Sequence, residues 1–129
     1  MRLLLDTHVL VWALGDLSRL SQTAAAQIRE PANELFVAAI TPFELATKHR
    51  IGKLPNAESR LLAFGDHMRR LGASELPISG HHALVAGQLN CDHRDPFDRM
   101  LAAQSITEAI PLVTSDAAFG SISGVRVIW

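Results

Sequence analysis

Four carboxylates stand where the chain changes character. Asp6 ends the apolar run Leu3-Leu4-Leu5. Glu44 closes Thr41-Pro42-Phe43-Glu44, which follows the apolar run Leu35-Phe36-Val37-Ala38-Ala39. Asp98 lies in His93-Arg94-Asp95-Pro96-Phe97-Asp98-Arg99, ahead of Met100-Leu101-Ala102-Ala103, and Asp116 follows Leu112-Val113. Acids held close together repel one another and lose solvation, so a divalent cation is their natural counter-charge. Oxygen donors alone favour Mg2+ or Mn2+ over zinc. Such a centre lowers the pKa of a bound water and stabilises the attacking and leaving oxygens of a phosphodiester. Each acid also has a purely structural use, as helix opener, capping-box partner or turn residue. The set is more persuasive than its members because all four occupy the same kind of junction.

Several neighbours bear on that chemistry. Asp95 can cap the helix that Pro96 opens, proline suiting the first helical position; it is assigned as an auxiliary residue that holds the helix and Asp98 in place. Thr7 and Ser115 adjoin two of the acids and could hydrogen-bond a carboxylate, a bound water or a phosphate, or simply cap. Lys48, Arg50 and Lys53 form the densest basic cluster. Lys48 lies four residues after Glu44 and shares its helix face, where an ion pair between the two is the plainer reading. Arg99, next to Asp98, has the fork geometry for a scissile phosphate. Lys48, Arg50 and Arg99 are therefore the candidate substrate contacts, phosphate binding supplying much of the affinity for RNA. His81-His82 and Cys91-Asp92-His93 lack the spacing of a zinc site and are read as structural. A metal-free reaction would need paired histidines, and nothing in the sequence pairs His8 with His93.

The elements that position these residues follow from pattern. Leu3–Leu5, Leu35–Ala39, Ile110–Val113 and Val125–Ile128 read as buried strands, with a further extended segment at Glu75–Ile78. Between them come helices from Val9 to Gly15, from the Ser21 cap to Pro31, from a capping box at Thr41-Pro42-Phe43-Glu44 to Gly52, and from an Asn56 cap to Gly72. The last has Leu61, Phe64, Met68 and Leu71 on one face. Two more run from Ser79 to Leu89 and from Pro96 onward. Alternating strands and helices predict a single α/β domain over 1–129, a mostly parallel sheet of about four to five strands flanked by helices. In open parallel sheets ligands gather at the carboxyl ends of the strands, where four acids from separate segments could converge.

Bulk properties agree. Of 129 residues, 48% are apolar and 19% charged, which excludes a disordered chain. The net charge of −1 excludes a generally basic nucleic-acid coat, though not a local patch. One cysteine, Cys91, permits no internal disulfide and suits a reducing compartment. The N-terminal apolar run is too short for a signal peptide or membrane span. The expected setting is cytoplasmic, with no membrane association.

In order and approximate spacing, the segments Leu3-Leu4-Leu5-Asp6-Thr7-His8, Ala39-Ile40-Thr41-Pro42-Phe43-Glu44-Leu45-Ala46, His93 to Arg99 and Val113-Thr114-Ser115-Asp116-Ala117-Ala118-Phe119 cover nearly the whole chain. In them the sequence resembles the PIN-domain ribonucleases, and among these the toxin subunits of VapBC-type toxin–antitoxin pairs. The resemblance implies a metal-binding and catalytic quartet of Asp6, Glu44, Asp98 and Asp116, with Mg2+ or Mn2+ as cofactor. It also implies an endoribonuclease acting on RNA, leaving a 5′-phosphate and a 3′-hydroxyl. A cognate antitoxin that places a basic side chain in the acidic site, and a homodimer, are implied as well. Trp12 or the Leu61–Leu71 stripe could supply the dimer interface, although helical spacing of this kind more often marks core. The alternatives are a PIN-like module that binds RNA or protein without turnover, and an aspartyl-phosphate phosphatase. The phosphatase is disfavoured because His8 stands where a second aspartate is needed.

Overall fold

The computed structural model describes residues 1–55 and 57–129. Its centre is strand β1 (Arg2–Leu5), whose three leucines are fully buried. Side chains alternate along a strand, so an unbroken apolar run requires cover on both faces. Leu3 and Leu5 pack with Val9, Leu10, Ala24 and Met68 on one face. Leu4 packs with Leu101, Ala102, Leu112 and Phe119 on the other.

Four more strands join it: β2 (Glu34–Ala38), β3 (Ala73–Leu76), β4 (Leu112–Val113) and β5 (Val127–Ile128), in the order β3-β2-β1-β4-β5. Every pairing is parallel, with Leu5 opposite Val37 on one side and Val113 on the other. The chain builds outward from β1 through β2 to β3, then returns to the far side of β1 for β4 and β5. Strand order therefore reverses at β1/β4, the topology that opens a crevice at the carboxyl ends of those two strands. The expected α/β architecture is the one observed, with the sheet parallel throughout.

The described helices are α1 (Thr7–Gly15), α2 (Gln22–Arg29), α3 (Ile40–Arg50), α4 (Glu58–Leu62), α5 (Phe64–Leu71), α6 (Gly80–Gln88) and α7 (Pro96–Glu108), with 3-10 turns at Leu17–Arg19 and Ala117–Ser121. None of them is long and apolar enough to cross a membrane. Asp6 caps α1, Ser21 caps α2, and Ser79 with His82 forms a capping box on α6. Asp95 caps α7 by accepting from Phe97 N at 2.8 Å, with Pro96 at the first position.

Two expectations for the helices are overturned. The helix expected between Asn56 and Gly72 is two, broken at Ala63, although Gly72 does end the second in the left-handed region at φ 71°; the Asn56 cap lies outside the described residues. The capping box at Thr41 does not form either. Ala39 N donates to Leu76 O of the sheet at 3.0 Å, so the chain turns directly from β2 into α3 with no side-chain cap. Pro42 then occupies the third helical position, still within the first turn whose N–H groups lack intrahelical partners. Glu44 is released from capping and buried.

Candidate active site

Asp6 leaves β1 at the crevice, and both its carboxylate oxygens are held. Oδ1 accepts from Thr7 N at 2.7 Å and Oδ2 accepts from the Thr114 hydroxyl at 2.7 Å. The same Thr114 oxygen accepts from Asp116 N at 3.1 Å, so one buried hydroxyl ties the ends of β1 and β4 together. Glu44 approaches from α3 and is 4% exposed. Its Oε1 accepts from the Thr7 hydroxyl at 2.6 Å and its Oε2 from Lys48 Nζ at 2.5 Å. Asp98, half-buried in the first turn of α7, has His93 Nδ1 at 3.6 Å from Oδ2. The His93 ring lies against Phe119 with centroids 5.0 Å apart, and its Nε2 is buried without a partner among the described residues.

The electrostatics mark these groups as a cluster. Burial pushes Asp6 above the usual carboxylate range, with Glu44 adding to the shift; the Thr114 and Thr7 hydrogen bonds and His8 oppose it. Burial likewise pushes Asp98 up to about 6, reinforced by the charges of Asp95, Asp6 and Glu44 and opposed by His93. Asp6, Glu44 and Asp98 are thus within electrostatic reach of one another. Asp116 is placed differently: it is exposed, and its Oδ1 caps the following 3-10 turn by accepting from Ala118 N at 2.9 Å. Ser115 is exposed, with its hydroxyl in no hydrogen bond recorded among the described residues.

The basic residues are also redistributed. Lys48 serves as the counter-ion of Glu44, the pairing that its spacing suggested. Arg50 is exposed at the far end of α3, a turn and a half beyond Glu44. Arg99 is engaged within the fold. Its guanidinium donates to the carbonyls of Ala86, Gly87, Leu89 and His93 and reaches Cys91 Sγ at 3.6 Å. The open carbonyls at the end of α6 and in the loop before α7 take up its donors. Arg99 is a clamp for that loop. The histidine pair divides similarly: His82 caps α6 and bonds Glu108, while His81 is exposed.

Sequence reasoning missed Thr114, and the signal was present. It directly continues the buried run Ile110–Val113, so a hydroxyl there is enclosed and must find a partner. It also read Thr7 only as one of several helpers, whereas Thr7 supplies both a backbone and a side-chain donor to two acids.

Among the described residues, no three Asp, Glu, His or Cys side chains are already gathered as a ready-made metal cage. The donor set nevertheless fits a hard cation. It is all oxygen, and two of its carboxyl groups are driven toward the protonated form by burial and mutual repulsion, which a cation would relieve.

The model of the PIN domain matches residues 3–125. The chain is 37% identical over 116 residues to Ribonuclease VapC22 of Mycobacterium tuberculosis, covering 88% of this chain and 85% of that one. Its fold is similar to a structure of VapBC2 from Rickettsia felis bound to a promoter DNA fragment, with TM-score 0.74 and 18% identity, covering 98% of this chain and 97% of that one. It is similar also to DNA-bound VapBC from Salmonella typhimurium, with TM-score 0.72 and 18% identity, covering 98% of this chain and 96% of that one.

Proposed function

The chain belongs to the PIN-domain family, among its VapC-type members, and on that premise we propose that it is a divalent-cation-dependent endoribonuclease, the toxin of a toxin–antitoxin pair. The observation that carries this reading is the approach of Asp6, Glu44 and Asp98 at the carboxyl ends of the central strands, two of them with raised pKa values. Asp6, Glu44 and Asp98, together with Asp116, would hold Mg2+ or Mn2+, which when bound would supply charge neutralisation at the phosphodiester and a more acidic water.

The chain's own residues set the stage for hydrolysis. Thr7 and Thr114 fix the rotamers of Glu44 and Asp6, so the carboxylates are preorganised rather than gathered on demand. Lys48 is the ion-pair partner that meets the buried Glu44 carboxylate. Asp95 fixes the start of α7 and hence Asp98. Arg50 and, when released from Glu44, Lys48 are the substrate contacts of this proposal. RNA is the substrate, a cognate antitoxin is the inhibitory partner, the active form is a homodimer, and the setting is cytoplasmic.

Asp98→Asn tests the reading with least damage, because the amide keeps the shape of a half-buried side chain. Cleavage of structured RNA with added Mg2+ or Mn2+ should fall by roughly a thousand-fold or more, with the far-UV circular dichroism unchanged. Sequencing of RNA 5′ ends after induction of wild type and variant maps the cuts. Full activity in Asp98→Asn, with contaminating nucleases excluded, would sink the proposal, and bound but intact RNA in the wild type would favour a non-catalytic binding module.

A further inference from the structure

Two of the acids are preceded in sequence by phenylalanines, Phe43 before Glu44 and Phe97 before Asp98. The structure joins these rings across the gap between α3 and α7, with centroids 5.6 Å apart and planes inclined at 49°. Phe97 is half-buried, while Phe43 is 63% exposed. Single exposed apolar residues are ordinary on protein surfaces. This one forms half of a ring pair at the first turns of the two helices that carry Glu44 and Asp98.

We propose that the Phe43–Phe97 pair is a stacking platform that seats one unpaired RNA base beside the bond to be cut. The proposal rests on the ribonuclease reading above and adds to it where the base goes. Every nucleobase has a π-face, and recognition of single-stranded RNA depends on stacking splayed bases on aromatic side chains. Each ring is flanked in the chain by a proline and an acid, Pro42 and Glu44 or Pro96 and Asp98, and the aromatic surface offered there is that of one ring pair. That is the scale of a nucleobase and far short of the area a stable protein interface buries.

The competing role is mechanical, a clasp that merely holds α3 and α7 together. Leucine and tryptophan at position 43 separate the two, since Leu keeps an apolar contact with Phe97 and removes the π-face. The substrate is a short single-stranded RNA carrying one mapped cleavage site, with each flanking nucleotide made abasic in turn. Phe43→Ala and Phe43→Leu should each lose roughly ten- to a hundred-fold in kcat/KM, mostly in KM, and Phe43→Trp should keep wild-type activity. One abasic position should cost the wild type the same factor and cost Phe43→Ala nothing further. Independently of turnover, 2-aminopurine at that position should be quenched on binding to Asp98→Asn and not to the Phe43→Ala/Asp98→Asn double variant.

Wild-type behaviour of Phe43→Leu overturns the platform in favour of the clasp. Equal abasic penalties in wild type and Phe43→Ala also overturn it. So does unaltered cleavage by Phe43→Ala combined with loss of protein inhibition by a cognate antitoxin, which would make the ring a protein contact. Wild type that cuts no RNA but quenches 2-aminopurine through Phe43 leaves the platform standing and removes the ribonuclease reading.

Discussion

At the scale of single residues, the site is braced by hydroxyls. Thr114 is fully buried and serves Asp6 Oδ2 and Asp116 N at once. Thr114→Val keeps the shape and deletes both bonds, leaving a buried acceptor and a backbone donor to find water. The cost should be about 1–3 kcal/mol of unfolding free energy in a urea titration. The Asp6 carboxyl should titrate still higher, because the Thr114 bond is the largest influence holding it down; an NMR titration of metal-free protein reads this directly. An unchanged Asp6 titration would mean that burial alone sets it. Lys48 is braced in the opposite sense, a half-buried cation on a carboxylate that is almost entirely enclosed. Lys48→Met should destabilise metal-free protein by about 1–2 kcal/mol, less than a fully buried pair would cost. A saturating divalent cation should restore most of the loss, and a thermal melt with and without Mn2+ checks it.

At the scale of elements, the useful contrast is between Asp95-Pro96-Phe97-Asp98 and Thr41-Pro42-Phe43-Glu44, which look alike as sequence. The first behaves as its residues dictate, with Asp95 capping and Pro96 at the first helical position. The second does not, because the sheet claims Ala39 N and starts the helix before Thr41, whose hydroxyl is buried without a partner among the described residues. Local propensity reads a cap wherever the residue types permit one, and it cannot see a tertiary hydrogen bond that shifts the register. The strands were legible for the converse reason: Leu3-Leu4-Leu5 and Leu35-Phe36-Val37 can be satisfied only by cover on both faces. Asp6, Glu44 and Asp98 were legible as junction acids, whereas Thr114 was hidden inside an apolar run. The role of Arg99 was hidden too, since it depends on carbonyls up to thirteen residues away. Its clamp makes a prediction that a phosphate contact does not. Arg99→Lys should be nearly as unstable as Arg99→Met, each losing about 2–3 kcal/mol, because a single ammonium cannot span the carbonyls that the planar fork reaches. Their activity per folded molecule at low temperature should stay close to wild type. A folded Arg99→Lys with intact stability and a large rise in KM would return Arg99 to the substrate.

At the scale of the whole molecule, the sheet topology concentrates charge at one point and so couples stability to whatever neutralises it. The strand order reverses beside β1, and the acids arrive there from β1, α3 and α7. Asp98 titrates near 6 in the fold against 3.8 when unperturbed, so the folded state holds a proton over that interval that the unfolded chain has released. Stability therefore falls as pH rises from about 4 to 6; the contribution is complete below the unfolded pKa and gone above the folded one. Asp6 shifts in the same direction and adds to the slope. The full shift at Asp98 would correspond to roughly 3 kcal/mol, and partial exposure of its carboxylate reduces that to about 1 kcal/mol. Chelator-treated protein should accordingly unfold at lower urea at pH 7 than at pH 5, and Asp98→Asn should abolish most of the difference by being the more stable form at pH 7. Added Mn2+ at a hundred times its dissociation constant should stabilise wild type at pH 7 by about 2.7 kcal/mol, and Asp98→Asn by much less. If metal-free wild type is instead most stable at pH 7, the acids are not in conflict in the folded chain, and a cation has nothing there to relieve.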